Sequence, residues 1–253
     1  ATPAAGVEPP ALVAAARRHG VLGLCAAELM RRCPAAEPAI REQLRAETLA
    51  GERGRARVAE ALQALMAAGI RPLVVKGPAL AALAYRDPSV RPYDDVDLLL
   101  AGPDRARALA VLEELGWRDS RNAPPLAQAH LLRTTEDLTL VHPGCDVGID
   151  LVHPGGLLRD AAPSPDSPRE AFDILGEPAQ APDKVEHFLY CAAHGAKHGY
   201  ARWIWLADLD RLAATFSNAD WRDVMDEASR RRLRRALALS LMLLVDDLGT
   251  PLG

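Results

Sequence analysis

The pattern of apolar and polar positions predicts a chain that is helical at both ends and mixed in the middle. From residue 11 to 32, and again from 39 to 68, apolar residues recur at the spacing of a helix that buries one face. Pro34 and Pro38 interrupt the pattern between these two segments. Residues 1–69 are therefore predicted to form an N-terminal helical region of two long helices.

Short runs that are mostly apolar indicate β-strands in the middle of the chain. The predicted strands are 73–75, 96–100, 138–142 and 147–152, and the predicted helices are 79–85, 103–115 and a short one ending near 133. The sequence Pro143-Gly144-Cys145-Asp146 is typical of a turn, so the last two strands are predicted to pair as a hairpin. Residues 70–160 are therefore predicted to form an α/β core.

Beyond this core the pattern becomes helical again. A stretch with Pro and Ser from Ala161 to Pro168 is predicted to be a linker. The predicted helices that follow it are 169–176, 183–198, 202–216, 220–229 and 231–248. The whole pattern predicts an α+β fold, in which a small mixed sheet is flanked by N-terminal helices and by a C-terminal helical domain, residues 161–253.

Composition and charge narrow the class of protein. The chain has 253 residues with 49% hydrophobic residues and a net charge of −4, which is ordinary for a globular protein and argues against a nucleic-acid partner. The four cysteines are scattered, so we expect free thiols in a reducing compartment. No signal peptide and no apolar run of membrane-spanning length is visible. We therefore expect a cytoplasmic protein without a membrane partner.

Three carboxylates on two predicted strands are the candidate chemistry of the core. Asp95 and Asp97 are two residues apart, so their side chains lie on one face of a strand. Asp150 lies in a second apolar strand, where an unpaired carboxylate is costly. Such a cluster needs a cation, and hard oxygen ligands select Mg²⁺ or Mn²⁺. Two such ions could clamp the oxygens of a phosphoryl displacement.

A glycine turn before a helix completes this arrangement. Gly77 allows close approach to the backbone, and the N–H groups of the following helix favour an anion. Lys76 and Arg91 are cations close enough in sequence to neutralise a triphosphate. The alternative is that Gly77-Pro78 is only a turn and that Asp95 and Asp97 are ordinary charged residues at the start of a strand.

These motifs resemble the nucleotidyltransferase superfamily with the DNA polymerase beta-like core, in particular its bacterial branch of uncharacterised nucleotidyltransferases. The matching segments are Lys76-Gly77, residues 91–99 (RPYDDVDLL), Ile149-Asp150, residues 188–198 (FLYCAAHGAKH) and residues 202–209 (RWIWLADL). The resemblance extends over about residues 60–245.

The resemblance implies Mg²⁺-dependent transfer of a nucleoside monophosphate from an NTP to a hydroxyl or phosphate of a small-molecule or peptide acceptor. It implies that Asp95 and Asp97 bind two metal ions, and that Asp150 binds the catalytic one and helps to deprotonate the acceptor. The chain departs from the superfamily at Pro78, where a serine is usual, and at Val152, where the branch usually has a histidine.

The C-terminal motif leaves several interpretations open. His194 and His198 are four residues apart on one helix face, which with Lys197 predicts contacts to phosphate or acceptor. The same pair has the spacing of a zinc site with His153 as a third ligand, and an interior, hydrogen-bonded His194 is a further alternative. For the whole protein, the alternative to an enzyme is a non-catalytic nucleotide-binding or partner-binding module that keeps the fold.

Three other features have a functional and a structural interpretation. Of Trp203 and Trp205, one is predicted to lie in the core and the other to be available for stacking on a base. Asp208 is predicted to pair with Arg202 or His198, or to cap a turn. The basic run 230–235 is more typical of a solvated helix face than of a nucleic-acid site, because leucines at helical spacing continue through it.

Overall fold

A five-stranded mixed sheet lies at the centre of the protein. The computed structural model describes residues 8–134, 137–153, 156–163 and 167–252. The strands of this sheet are β1 (Leu73–Val75), β2 (Asp95–Leu99), β3 (Arg118–Asp119), β4 (Asp137–Val141) and β5 (Gly148–Val152), in the spatial order β1-β2-β5-β4-β3. Four of the strands were predicted, and the two-residue β3 was not.

Helices occupy both ends of the chain and the connections between the strands. They are α1 (Pro9–Arg18), α2 (Leu22–Arg32), α3 (Glu37–Ala67), α4 (Gly77–Ala84), α5 (Gly102–Glu114), α6 (Pro125–Thr134), α7 (Gly156–Ala161), α8 (Lys184–Lys197), α9 (Trp203–Ala213), α10 (Asn218–Arg230) and α11 (Arg234–Leu243). The predicted α+β fold, a small mixed sheet with helices at both ends, is confirmed.

The pairing of the two central strands determines where the site forms. β4 and β5 form the predicted antiparallel hairpin, and β5 also pairs in parallel with β2. In this register Asp97 lies opposite Asp150, and Thr139 of β4 lies opposite Asp150 on the other side. The parallel pair is buried because helices cover it, which agrees with the apolar sequences of both strands.

The first predicted helix is two helices. Residues 11–32 were predicted to be continuous, but the chain turns between α1 and α2 at Gly20, whose φ is +71°. A Cβ at Gly20 would lie 3.2 Å from the Cβ of Ile204 in α9, so both the backbone angle and the space favour glycine. Helical spacing alone did not reveal this break because apolar residues continue on both sides of it.

A β-hairpin replaces the helix that was predicted at 169–176. β6 (Arg169–Ile174) and β7 (Glu177–Pro182) pair antiparallel around Leu175 and Gly176, both with positive φ. Asp173 accepts a hydrogen bond from the Gly176 N–H at 3.1 Å, which stabilises the turn. The helix prediction was wrong because Phe172 and Ile174 face the core with a period of two residues. The predicted linker 161–168 lies partly outside the described residues.

The C-terminal helices pack around α8, which is buried along most of its length. Leu233, Leu237 and Leu244 join this core as the leucine spacing predicted. In the basic run, Arg231 forms an ion pair with Glu227 at 2.7 Å, which agrees with a structural interpretation. Among the described residues, no helix is both long enough and apolar enough to cross a membrane.

Candidate functional site

The three carboxylates predicted from the sequence lie at one edge of the sheet. Asp97 and Asp150 are opposite each other on β2 and β5, and Asp95 lies on the same face of β2. All three line a cleft of about 250 Å³ between the sheet and helices α8 and α9. The sheet register therefore brings together residues that are 53 positions apart in the sequence, from Asp97 to Asp150.

Asp97 is the most deeply buried of these carboxylates. Its Oδ1 lies 2.9 Å from the Lys76 ammonium, while its Oδ2 is buried and has no hydrogen-bond partner. Burial raises the pKa of Asp97 to about 7, with a further increase from the charge of Asp95 and an opposing effect of Lys76. One ammonium therefore does not fully satisfy this carboxylate.

Asp150 is also incompletely satisfied. The Thr139 hydroxyl donates a hydrogen bond to it, but its Oδ1 is buried without a partner. Burial raises the pKa of Asp150, and the charges of Asp95 and Asp137 raise it further. Asp137 is a fourth carboxylate of the cleft. Sequence reasoning missed it because the strand was predicted to begin at Leu138, whereas β4 begins at Asp137 itself.

The turn between β1 and α4 has an unusual backbone. Lys76 has φ 57° and ψ −143°, a conformation that a residue with a Cβ adopts at a cost of about 1–3 kcal/mol. Its N–H donates to Nε2 of His187, at 2.9 Å, and its carbonyl accepts from the Leu80 N–H at 3.0 Å. A Cβ at Gly77 would lie 3.0 Å from the Asp95 carbonyl oxygen, so the turn requires glycine there.

His187 stabilises this turn from the C-terminal helices. It is fully buried in α8, and burial lowers its pKa to about 3, so the ring is neutral and its Nε2 is an acceptor. Sequence reasoning did not identify this residue, which lies 111 positions from Lys76. The phosphate-binding turn predicted at Lys76 and Gly77 therefore depends on α8 for its shape.

Arg91 lines the cleft, but its charge is already balanced. Its Nε and Nη2 donate to the two oxygens of Asp208 at 3.1 and 2.7 Å, and the Tyr85 hydroxyl donates to Asp208 at 2.7 Å. Asp208 thus has a structural role, as predicted, but the predicted partners Arg202 and His198 were wrong. Arg202 instead contacts Asp94 at 3.3 Å at the cleft's edge. The fold therefore uses Arg91 to connect the core to α9, and a phosphate contact by Arg91 stays a prediction.

The wall opposite the carboxylates is formed by aromatic rings. The ring centres of His194 and His198 are 4.7 Å apart, and Trp205 lies 5.0 Å from His194 and 5.6 Å from His198. Burial lowers the pKa of His194 to about 2, so this ring is neutral. All three residues line the cleft.

Two predictions about this wall were wrong. Neither tryptophan lies in the core, because Trp203 is 45% exposed and Trp205 is half-buried at the cleft. Lys197 is exposed at the end of α8 and does not line the cleft as predicted. Lys197 is the last residue of α8.

The part of the chain that the structure describes contains no ready-made metal site, but the cleft does contain oxygen atoms of the type that divalent cations prefer. In residues 8–134, 137–153, 156–163 and 167–252, no three His, Cys, Asp or Glu side chains are already gathered around one point. This holds both for the alternative zinc ligands His194, His198 and His153 and for the three aspartates. The unpartnered oxygens of Asp97 and Asp150 are nevertheless the hard ligands that Mg²⁺ and Mn²⁺ prefer, and buried polar atoms without partners are rare.

A second and larger cavity adjoins the cleft. It has a volume of about 1610 Å³ and lies between α1, α3 and the segment 88–94. Residues 91–94 and Arg202 line both spaces. Along α3 the residues 41–53 include no fully buried side chain, so this part of the helix faces the cavity and solvent. Its charged lining has both signs, with Arg17, Arg18, Arg53, Arg55, Glu42 and Glu47 among the residues.

Comparison with known proteins agrees with this geometry. The model of a protein family described as "Uncharacterised nucleotidyltransferase" matches residues 5–248. A comparison with curated proteins finds no relative of this chain.

Two solved structures have a fold similar to that of this chain. One is the solution structure of the antibiotic-resistance factor ANT(2'')-Ia, with 14% identity, a TM-score of 0.52, and coverage of 74% of this chain and 96% of that one. The other is the crystal structure of ANT(2'')-Ia in complex with adenylyl-2''-tobramycin, with 15% identity, a TM-score of 0.50, and coverage of 72% and 98%. At these identities the similarity concerns the fold.

Proposed function

Because the chain belongs to the family of uncharacterised nucleotidyltransferases, we propose that it transfers a nucleoside monophosphate from an NTP to a hydroxyl or phosphate of a small-molecule or peptide acceptor. The observation that carries this proposal is the pair of buried, unpartnered oxygens, Asp97 Oδ2 and Asp150 Oδ1, which face one cleft from adjacent parallel strands. A buried oxygen without a hydrogen-bond partner lowers the stability of the fold, and a bound cation would remove this cost.

Asp95, Asp97 and Asp150 would hold Mg²⁺, or Mn²⁺ in its place, with two ions as in other phosphoryl-transfer sites. Such ions, when bound, neutralise the charge that develops on the transferred phosphate. Asp150, whose pKa is raised by burial, is the residue that accepts the acceptor's hydroxyl proton. The unpartnered state of its Oδ1 supports this role.

The nucleotide would lie between the Lys76–Gly77 turn and the aromatic wall. The first N–H groups of α4 have no partner within the helix and favour an anion, so the phosphates belong at this end. Trp205, His194 and His198 offer ring surfaces on which a base can stack. Pro78 lacks an N–H, so the grip on the phosphates comes from Gly77, Ala79 and the Lys76 ammonium.

The acceptor would enter through the larger cavity, which opens onto the cleft beside Tyr93, Asp94 and Arg202. A volume of about 1610 Å³ exceeds the roughly 300–1,000 Å³ of a typical small-molecule pocket. Arginines and glutamates together suit an acceptor that carries charges of both signs.

Release of pyrophosphate from ATP tests the proposed reaction. The purified protein is incubated with ATP, Mg²⁺ and a pool of hydroxyl-bearing acceptors, and the products are read as mass shifts. Asp97→Asn should lower the rate by about 10²–10³-fold, the usual cost of removing a group that stabilises a transition state electrostatically. Asp226→Asn, an exposed change on α10, should leave the rate unchanged.

The same experiment distinguishes the enzyme from its alternative. Full activity of Asp97→Asn would refute the assignment of the carboxylates. Binding of ATP without Mg²⁺ dependence and without turnover, measured by calorimetry, would instead indicate a non-catalytic nucleotide-binding module.

A further inference from the structure

One of the few lysines of this chain lies inside the carboxylate cleft. Among 30 Lys and Arg residues only three are lysines, Lys76, Lys184 and Lys197. Lys184 pairs with Asp220 in the C-terminal helices and Lys197 is exposed. Lysine is therefore rare in this chain, and one of the three lysines lies next to Asp97. Lysine differs from arginine in carrying a compact charge on a flexible stem.

The Lys76 ammonium occupies a place that suits a more highly charged ion. It lies 2.9 Å from Asp97 Oδ1, and the two side chains are only 14% and 5% exposed. Burial opposes its charge, but Asp97 and Asp95 raise the pKa of Lys76, so the ammonium stays charged. Even so, Asp97 Oδ2 and Asp150 Oδ1 are left without partners. A single positive charge compensates this cluster only in part.

The backbone of Lys76 is fixed by hydrogen bonds, whereas its side chain is held by its ion pair with Asp97. His187 accepts a hydrogen bond from its N–H, and Leu80 donates one to its carbonyl, so the strained main chain has partners on both sides. The rotatable methylene stem can carry the ammonium from Asp97 toward the N-terminus of α4. The other cations of the cleft, Arg91 and Arg202, are paired with Asp208 and Asp94.

We propose that Lys76 is an exchangeable counter-ion: its ammonium holds Asp97 in the metal-free protein and moves to the triphosphate when the carboxylates bind a divalent cation. This inference rests on the proposed function, since it requires the carboxylates to be metal ligands. It explains why a cation is buried against a residue that the reaction needs free. It also explains why the residue is not arginine, since a planar guanidinium would bind the carboxylate through two parallel hydrogen bonds and release it less readily.

Binding of Mn²⁺ alone tests the exchange without requiring activity. Free Mn²⁺ is measured by electron paramagnetic resonance during titration of the metal-free protein. Lys76→Met removes the competing charge and keeps the length of the stem, so Mn²⁺ should bind at least tenfold more tightly than to the wild type. Affinity for the Mn²⁺ complex of a non-hydrolysable ATP analogue should fall at least tenfold. Lys197→Met should change neither affinity.

A second measurement uses the wild-type chain, so it does not depend on folding of the variant. The three lysines are acetylated with a water-soluble active ester and the rates are read by peptide mass spectrometry. Mn²⁺ should raise the rate at Lys76 several-fold, the ATP analogue should lower it again, and Lys197 should react at a constant rate.

The outcomes separate this inference from the proposed function. The exchange is refuted, but not the metal site, if Mn²⁺ binds the wild type and folded Lys76→Met binds it no more tightly. The same conclusion follows if Mn²⁺ binds the wild type without changing the acetylation rate at Lys76. If Mn²⁺ binds neither protein, with or without the ATP analogue, the metal site is refuted and the exchange with it.

Discussion

Asp97→Asn, which should slow the proposed reaction, should also make the metal-free protein more stable. Asp97 is buried next to Asp95 and opposite Asp150, and burial raises its pKa from 3.8 to about 7. Asp97→Asn replaces the carboxylate with a neutral group of the same shape. In the absence of a divalent cation, we therefore expect the variant to unfold at a higher urea concentration than the wild type at pH 8.

The magnitude follows from the shifted pKa. Each pKa unit is worth about 1.4 kcal/mol, so a change from 3.8 to about 7 corresponds to about 4 kcal/mol of destabilisation by the charged form. Between about pH 4 and pH 7 the unfolded chain has lost the proton of Asp97 while the folded chain still holds it, so rising pH favours unfolding. Above that range the penalty is constant. Because Lys76 loses its partner in the variant, we expect a gain of about 2–4 kcal/mol.

The free energy of unfolding must be compared between the wild type and Asp97→Asn, because other titratable groups change it with pH in the opposite direction. Burial lowers the pKa of His187 to about 3 and that of His194 to about 2, so these rings make the fold less stable as the pH falls. Their effect is common to the wild type and the variant and cancels in the difference.

Urea unfolding in EDTA at pH 5, 6, 7 and 8 gives this difference directly. The advantage of Asp97→Asn should grow with pH up to about pH 7 and then level off, and the exposed Asp226→Asn should show no such trend. Saturating Mn²⁺ should stabilise the wild type and leave Asp97→Asn unchanged. A variant that is less stable than the wild type at pH 8, or a difference independent of pH, would refute the reasoning.

Two further predictions concern the connections that shape the site. Arg91→Met leaves the buried Asp208 with the Tyr85 hydroxyl but without its counter-charge, and should cost about 3–5 kcal/mol in urea unfolding. Arg202→Met, at the exposed pair with Asp94, should cost less than about 1 kcal/mol, and similar losses would contradict the assignment of Arg91 as a structural residue. Gly77→Ala should lower stability by about 1–3 kcal/mol, read as a fall in Tm, because its φ is +26° and the new Cβ would lie 3.0 Å from the Asp95 carbonyl oxygen. Gly102→Ala, which meets no atom within 4 Å, is the matched control and should be nearly neutral; equal effects would show that the turn tolerates a side chain.

The sequence was most informative where local pattern and chemistry coincide. Asp95 and Asp97 could be placed on one face of a strand because the period of a strand is two residues. Asp150 could be added because it stands in an apolar run, where a carboxylate is costly. The predicted hairpin then brought β5 next to β4, and the observed parallel pair with β2 completed the cleft.

The sequence was least informative where distant residues meet. The pairs Lys76–His187 and Arg91–Asp208 join residues 111 and 117 positions apart, and nothing in the local pattern around them marks a partner. The hairpin β6–β7 was missed for a different reason. Its strands are six residues long, and over so short a length Phe172 and Ile174 do not distinguish a period of two from that of a helix.

The dependence of the Lys76 turn on His187 has a consequence for the order in which the site is made. During synthesis Lys76 and Arg91 leave the ribosome first, and their partners His187 and Asp208 follow 111 and 117 residues later. Until His187 and Asp208 arrive, the turn lacks its acceptor and Arg91 lacks its counter-charge. A nascent chain that has completed its five-stranded sheet therefore still lacks a finished cleft until α8 and α9 have been translated.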